Sequence, residues 1–234
     1  MPGATKEDQS QVPELLYHTY LRVNSGEPGS PKAIPDVYVL ATYGTLNAAK
    51  QFALGAISTL GYSRDDFDLY EERPKNTEQW EHGDGVLVYA KAPAGHEFIV
   101  GIDTKPNTGD LKATSEGSLI LPDGADHLHY ILQTMVDYNT DRKANTEIEG
   151  AYTRRNDAIE AAKRCLLDED QTEADFAQFD TRESLNLKTE ADWPFGENVL
   201  VHAIKPTGEN YFVSVGTPPE ANIKHGKKEQ KQKQ

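Results

Sequence analysis

Hydrophobic and polar positions alternate in two similar stretches of the chain. Residues 17–23 have the sequence YHTYLRV, and residues 130–138 have the sequence YILQTMVDY. An alternation with a period of two is typical of a β-strand that buries one face. A second short run follows each of them, at residues 37–42 and, less regularly, at residues 147–152. The pattern therefore predicts two pairs of strands.

A helical pattern follows each predicted pair of strands. Its apolar positions recur at intervals of three, four and seven residues, which is typical of a helix with one buried face. In the first stretch these positions are Leu46, Ala49, Phe52, Ala53, Ala56, Ile57 and Leu60. In the second they are Ala158, Ile159, Ala161, Ala162, Cys165 and Leu166. The paired alanines predict that each helix lies close to a sheet, and Gly61 is the predicted end of the first helix.

Two short segments after the helices resemble capping boxes. Residues 63–66 (SRDD) and 172–175 (TEAD) have Ser or Thr followed three positions later by Asp, where Glu or Gln is usual. The aromatic residues that follow lie three positions apart, and they are Phe67, Tyr70, Phe176 and Phe179. This spacing favours a second, short helix over a strand.

Each stretch ends in a predicted β-hairpin. The paired segments are residues 85–92 with 97–103, and residues 198–204 with 211–216. The turns have the sequences PAG (93–95) and PTG (206–208). Proline fixes one backbone angle of such a turn, and glycine tolerates the left-handed conformation that the turn requires.

The two stretches are similar in sequence as well as in pattern. With Trp80 aligned to Trp193, 11 of the 27 positions in residues 80–106 are identical, whereas unrelated segments would match at about two. Upstream, an offset of 109 residues replaces the offset of 113. There the matching residues of the first stretch are Tyr43, Asn47, Ala49, Ala53, Asp66, Phe67 and Arg73. The sequence therefore predicts two copies of one unit.

The predicted fold class is α+β. Each copy is expected to form a β-β-α-(short α)-β-β unit, an antiparallel sheet with helices on one face, and the two copies to be related by a pseudo-twofold axis. The predicted organisation has a disordered N-terminal segment, two repeat units, a connector and a disordered lysine-rich tail. In chain order these are residues 1–12, 13–106 (unit 1), 107–127 (connector), 128–223 (unit 2) and 224–234. Within the connector, residues 117–121 are a candidate extra strand and residues 122–124 a turn.

Composition and charge restrict the possible partners. The 234 residues carry a net charge of −14, and the residues before Lys224 carry −18, because the tail has five lysines and one glutamate. Such a body repels phosphate backbones, so we expect no nucleic-acid binding through it. No apolar stretch predicts a membrane helix or a signal peptide. We therefore expect a soluble protein of the cytoplasm, and the lysines of the tail leave the nucleus open.

Recognisable catalytic chemistry is missing from the sequence. It contains no phosphate-binding loop, dinucleotide fingerprint, HExxH or GxSxG motif, and no cofactor is predicted. His127 and His129, beside Asp123 and Asp126, are weak candidates for a metal site that lacks a third ligand. The single cysteine, Cys165, excludes a disulfide framework and is interpreted as a small residue of the core. Whether the protein is an enzyme stays open, with the balance against it.

Aromatic residues shared by the two copies are the candidate binding residues. They are Trp80, Trp193, Tyr43, Tyr152, Phe67 and Phe176. A tryptophan just before a hairpin most often closes the edge of the core. The alternative is an aromatic groove in each unit, whose flanking acids would suit a basic or apolar partner.

Two functions follow from these observations. The first is a non-catalytic intracellular protein-binding or scaffold protein, whose partner is a protein or peptide. A monomer with internal pseudo-twofold symmetry is consistent with this function. The alternative is a small-molecule binder or enzyme with its site at the interface between the two units. Residues present in one copy only are the candidates for that site, namely His18, Tyr20, His127, His129 and His202. His18, alone on its strand, is more simply interpreted as a hydrogen-bonded or exposed histidine than as a ligand.

Overall fold

A computed structural model describes residues 10–25, 34–75, 80–139, 143–184 and 193–219. These residues form twelve β-strands, two α-helices and two three-residue 3-10 turns. The strands form two five-stranded sheets and one two-stranded sheet, and every pairing whose register is defined is antiparallel. The predicted α+β class is therefore confirmed.

The first five-stranded sheet is formed by the first half of the chain. Its strands are β1 (Leu15–Asn24), β2 (Asp36–Tyr43), β3 (Leu69–Glu72), β4 (Val86–Lys91) and β5 (Glu97–Pro106). They lie in the order β2-β1-β5-β4-β3. Strand β3 pairs with β4 so that Glu71 lies opposite Tyr89.

Helix α1 (Leu46–Thr59) connects β2 to β3. Thr45 caps its start, since the Oγ1 atom accepts a hydrogen bond from the Ala48 N–H group at 3.3 Å. Ala49, Ala53 and Ala56 are fully buried, which agrees with the predicted close approach to the sheet. Gly61 has a φ of +93° just after the helix, as its position predicted.

The predicted connector belongs structurally to the first half of the chain. Its strands β6 (Lys112–Ala113) and β7 (Leu119–Ile120) pair with each other, and β7 lies within the candidate strand 117–121. Asn107 is buried, and its Nδ2 atom donates to the carbonyl oxygens of Pro13 and Leu111 at 2.8 and 2.9 Å.

The N-terminal segment also contacts this region. Disorder was predicted for residues 1–12, of which the structure describes residues 10–12. Within these three residues, Gln11 pairs with Ala113 of the connector through two backbone hydrogen bonds of 2.9 and 2.8 Å. Residues 1–9 and the lysine-rich tail from Lys224 lie outside the described residues.

The second five-stranded sheet is formed by the second half of the chain. Its strands are β8 (His129–Asp137), β9 (Lys143–Tyr152), β10 (Gln178–Thr181), β11 (Val199–Ile204) and β12 (Glu209–Gly216). They lie in the order β10-β11-β12-β8-β9. Helix α2 (Arg155–Ala162) follows β9.

The core of the second half lies between α2 and one face of this sheet. Ala158 and Ala162 of the helix pack with Val201, Ala203 and Val213 of the sheet, and all five are fully buried. Because side chains alternate along a strand, the residue between Val201 and Ala203 points to the opposite face. That residue is His202, and this orientation determines the site described below.

The chain divides into two compact units. The first consists of Met1–Leu21, Val39–Pro93 and Phe98–Gly124, and the second of Arg22–Tyr38, Ala94–Glu97 and Ala125–Gln234. The boundaries expected from the repeat, 13–106 and 128–223, stay a prediction. The two sheets have the same order of strands. Each strand of the first sheet corresponds to the strand about 110 residues later in the chain, so the order β2-β1-β5-β4-β3 matches β9-β8-β12-β11-β10, which is the second sheet read from its other edge.

Both predicted capping boxes are present. The N–H and hydroxyl groups of Ser63 donate to Asp66 Oδ2 at 2.7 and 3.0 Å, and those of Thr172 donate to Asp175 Oδ2, both at 2.8 Å. These hydrogen bonds, that from the backbone first, lower the pKa of both aspartates. The turns that they cap are Arg64–Asp66 and Glu173–Asp175.

The predicted short helices are present only as these three-residue 3-10 turns, and their predicted continuation through the aromatic residues is wrong. Tyr70 lies in β3 and Phe179 lies in β10, so each unit has one more strand than expected. The three-residue spacing does bring rings together, at 5.9 Å for Phe67 and Tyr70 and at 5.4 Å for Phe176 and Phe179, but without a helix. Pairing with β4 and β11 supplies the backbone hydrogen bonds that a helix would have made internally.

Candidate binding site

Two matching groups of side chains stand out on the two sheets. The first-sheet cluster consists of Glu71, Trp80, His82 and Tyr89. The His82 ring stacks on the Tyr89 ring, with 4.0 Å between centroids and 6° between planes. The Trp80 ring meets His82 edge-on at 4.7 Å. His82 Nε2 lies 2.7 Å from Glu71 Oε2, so a loop histidine bridges the tyrosine of β4 and the carboxylate of β3.

The second-sheet cluster consists of Asp180, Trp193, Phe195 and His202. The Phe195 ring stacks on the His202 ring at 3.9 Å and 18°, and Trp193 meets Phe195 edge-on at 4.9 Å. His202 Nδ1 lies 3.2 Å from Asp180 Oδ2. Asp180 lies opposite His202 in the pairing of β10 with β11, as Glu71 lies opposite Tyr89 in the first sheet.

The histidine and its stacking partner have exchanged places between the clusters. The repeat aligns His82 with Phe195 and Tyr89 with His202. In each sheet one of the two positions is histidine and the other a neutral aromatic ring, and in each the histidine contacts the carboxylate of the edge strand. The ring stack and the contact with the carboxylate are therefore common to both sheets, although the residues at the aligned positions 82 and 195, and 89 and 202, differ.

The clusters differ in their access to solvent. In the second sheet the side chains of His202 and Asp180 are 5% and 9% exposed. His202 Nε2 also lies 3.3 Å from Asn210 Oδ1, which occupies its other nitrogen. In the first sheet the side chains of His82 and Glu71 are 20% and 44% exposed. The second-sheet cluster is thus closed, and the first-sheet cluster can be reached from solvent.

The arginines at the aligned positions 73 and 182 make different contacts. The Arg182 guanidinium lies over the Trp193 ring, 5.8 Å from its centroid. Its Nε atom donates to the Val199 carbonyl oxygen at 3.4 Å. Arg73, which the repeat aligns with Arg182, instead lies 3.6 Å from the carboxylate of Asp84. Among the described residues, no cationic side chain lies over the Trp80 ring.

The buried Nε1 atoms of both tryptophans have no hydrogen-bond acceptor among the described residues. A buried donor without a partner typically costs about 1–3 kcal/mol.

The other aromatic residues predicted as binding residues lie elsewhere. Tyr43 packs against Phe52, with 5.7 Å between ring centroids. Phe67 contacts the rings of Tyr62, Tyr70 and Phe98. Their counterparts in the second half, Phe176 and Tyr152, pack in or against its core. The structure thus places the tryptophan of each copy apart from the shared tyrosine and phenylalanine, and in the second half Tyr152 and Phe176 pack in or against one core.

His18 lies inside the first sheet. Its side chain is buried, and Nδ1 lies 2.8 Å from Thr42 Oγ1. Burial, aided by the positive charge of Lys105, lowers the pKa of His18 from 6.5 to about 4. The ring is therefore neutral at physiological pH. The interpretation of His18 as a hydrogen-bonded histidine is confirmed.

Tyr20, His127 and His129, the remaining candidates described in this part of the chain, make packing contacts with other residues. Tyr20 packs against Gly101, where an added Cβ would lie 2.5 Å from the tyrosine hydroxyl. His127 and His129 contact each other edge-on at 4.8 Å. No group of three or more His, Cys, Asp or Glu side chains in the described part of the chain is placed to hold a metal ion.

Cys165 lies just beyond the end of α2, which is shorter than the predicted stripe. Its Sγ atom lies 3.6 Å from Gln133 Oε1. Burial, aided by the charge of Glu149, raises the pKa of the Cys165 thiol to about 12. A thiol with this pKa is protonated at neutral pH and is a poor nucleophile.

Comparisons with known proteins add no family to this picture. No protein-family model, no curated protein and no solved structure matches the chain. None of the helices described is both long and apolar enough to cross a membrane. The geometry and charge of the two clusters are therefore the basis on which a function can be inferred.

Proposed function

We propose that the chain is a non-catalytic protein-binding protein built from two copies of one α+β unit, and that its partner is a basic protein or peptide. The observation that carries this proposal is the first-sheet cluster. It presents stacked aromatic rings and a half-exposed carboxylate on a chain with a net charge of −14. Aromatic rings beside carboxylates attract cationic side chains through cation–π and charge contacts.

The duplication is supported by more than sequence similarity. The two sheets share one strand order, the same two capping boxes, and a ring stack beside a carboxylate at equivalent positions. The histidine and its aromatic partner have exchanged positions while the ring stack is retained. Such an exchange is expected between two copies of a duplicated unit. The pseudo-twofold arrangement of the copies stays a prediction.

The non-catalytic part of the proposal is supported by two described groups with large changes in pKa, His18 and Cys165. His18 is neutral within a sheet, and the Cys165 thiol is protonated. Catalytic groups more often have a pKa near the operating pH and lie in an accessible cleft. The alternative function, a small-molecule binder or enzyme, stays a prediction, as does the cytoplasmic or nuclear location.

A synthetic peptide library of fixed length, with net charge varied from acidic to basic, tests the proposal. We expect saturable binding that strengthens with positive charge and weakens as salt screens the charges. A double variant, Trp80→Leu/Trp193→Leu, is the matched control, once circular dichroism shows that it folds. Equal binding of acidic and basic peptides, or no binding at low salt, would contradict the proposal and favour the small-molecule alternative.

A further inference from the structure

We infer that the first-sheet cluster is the binding site of the protein, and that it takes an arginine side chain of the partner onto the face of Trp80, beside Glu71. This inference rests on the proposed function and makes it specific. The second-sheet cluster is then a closed copy that binds nothing, so each chain has one site.

The closed copy shows what the site accepts. The guanidinium of Arg182 lies over the Trp193 ring, and its NH2 group donates to the carbonyl oxygens of Gly196 and Glu197. The second-sheet cluster therefore already holds an arginine, which the chain itself supplies. The nearby carboxylate of Asp180 is held by His202 and by the side-chain amide of Gln178.

The first-sheet cluster has its tryptophan at the aligned position, but the aligned arginine makes a different contact. Arg73 is paired with Asp84, whose side chain is fully exposed, and no cation of the described chain lies over Trp80. Glu71 uses one carboxylate oxygen, Oε2, to contact His82. Its side chain is half-exposed, so the carboxylate remains accessible to a donor from outside.

Arginine fits this arrangement better than lysine does. A guanidinium is planar and weakly hydrated, so it can stack on an indole face while its N–H groups point sideways to a carboxylate. An ammonium group is compact and strongly hydrated, and it gains less from the ring.

The test compares two peptides of equal charge, hexa-arginine and hexa-lysine, by titration calorimetry with the full chain. General attraction to an acidic protein is similar for both, so the ratio of their affinities reports the stacking contact. We expect hexa-arginine to bind about tenfold more tightly, with one site per chain. Trp80→Leu and Glu71→Gln should each remove most of this preference.

Glu72→Gln is the matched control. It removes one negative charge at the next position of β3, but Glu72 contacts Arg64, whereas Glu71 contacts His82. We expect it to keep the preference for arginine. Glu71→Gln retains an oxygen that can accept from His82, so it decides the test even if Trp80→Leu fails to fold. Tight binding with no arginine preference, or a preference that Glu71→Gln leaves intact, would overturn this inference while the proposed function stands. No binding of either peptide would overturn both.

Discussion

His18 makes a contribution to stability that depends on pH, and its size follows from the structure. His18 lies on β1 of the first sheet, is 1% exposed, and has Thr42 as a hydrogen-bond partner. Its pKa is about 4 in the folded protein, mainly because burial disfavours the charged form. In the unfolded chain the pKa of a histidine is about 6.5.

The sign of the effect follows from proton binding. Between pH 6.5 and pH 4 the unfolded state binds the proton and the folded state does not, so the free energy of unfolding falls as the pH falls. At about 1.4 kcal/mol for each unit between the two pKa values, the loss reaches about 3 kcal/mol at pH 4. Above pH 6.5 both states are neutral, and His18 adds no further dependence on pH.

Urea denaturation at a series of pH values, followed by circular dichroism, measures this loss in the wild type and in a His18→Gln variant. The carboxylates are present in both proteins, so their titration cancels in the difference. We expect the variant to be less stable at pH 7, and the gap to shrink by about 3 kcal/mol as the pH falls to 4. A gap that stays constant over this range would refute the reasoning, and His18→Asn provides a second variant if the first does not fold.

Three further predictions follow from local contacts. His82→Phe and Tyr89→His should each lower the melting temperature, and the double variant should recover part of the loss, because it recreates the second-sheet stack with a coupling of about 1 kcal/mol. Additive losses would contradict this. Gly44→Ala should destabilise by about 1–3 kcal/mol, because its Cβ would lie 2.6 Å from a neighbouring alanine Cβ, whereas Gly55→Ala, with open space, should not. Cys165 should react with a thiol reagent only on unfolding, since its thiol pKa is about 12, and fast labelling of the native protein would argue against that environment.

Local patterns in the sequence were sufficient for most of the elements. The apolar stripe that ends before Gly61 predicts α1, and the capping pairs Ser63/Asp66 and Thr172/Asp175 lie where their spacing places them. These features depend on residues close together in the chain. The three-residue spacing of the rings predicts a short helix through Tyr70, where the structure has a strand. The same spacing also fits a capped turn followed by a strand, and the sequence alone does not distinguish the two.

The candidate site could be predicted only in part. The sequence names the two tryptophans as candidates, but the contact of His82 with Glu71 does not follow from it, since that contact depends on the pairing of β3 with β4 and on the path of a loop. A signal was nevertheless present in the aligned repeats. Positions 82 and 195, and positions 89 and 202, exchange a histidine for an aromatic residue, which suggests that each pair is in contact.

The chain has two tryptophans, one in each cluster, so the indole N–H signals in a ¹H–¹⁵N NMR spectrum report on the two sites separately. Trp80→Phe assigns them. The most direct measurement is to follow both signals while hexa-arginine is added to the full chain. We predict that the Trp80 signal shifts progressively to saturation and that the Trp193 signal stays in place, because Arg182 already covers that ring. Equal shifts of both signals, a shift of Trp193 alone, or binding that moves neither would contradict it.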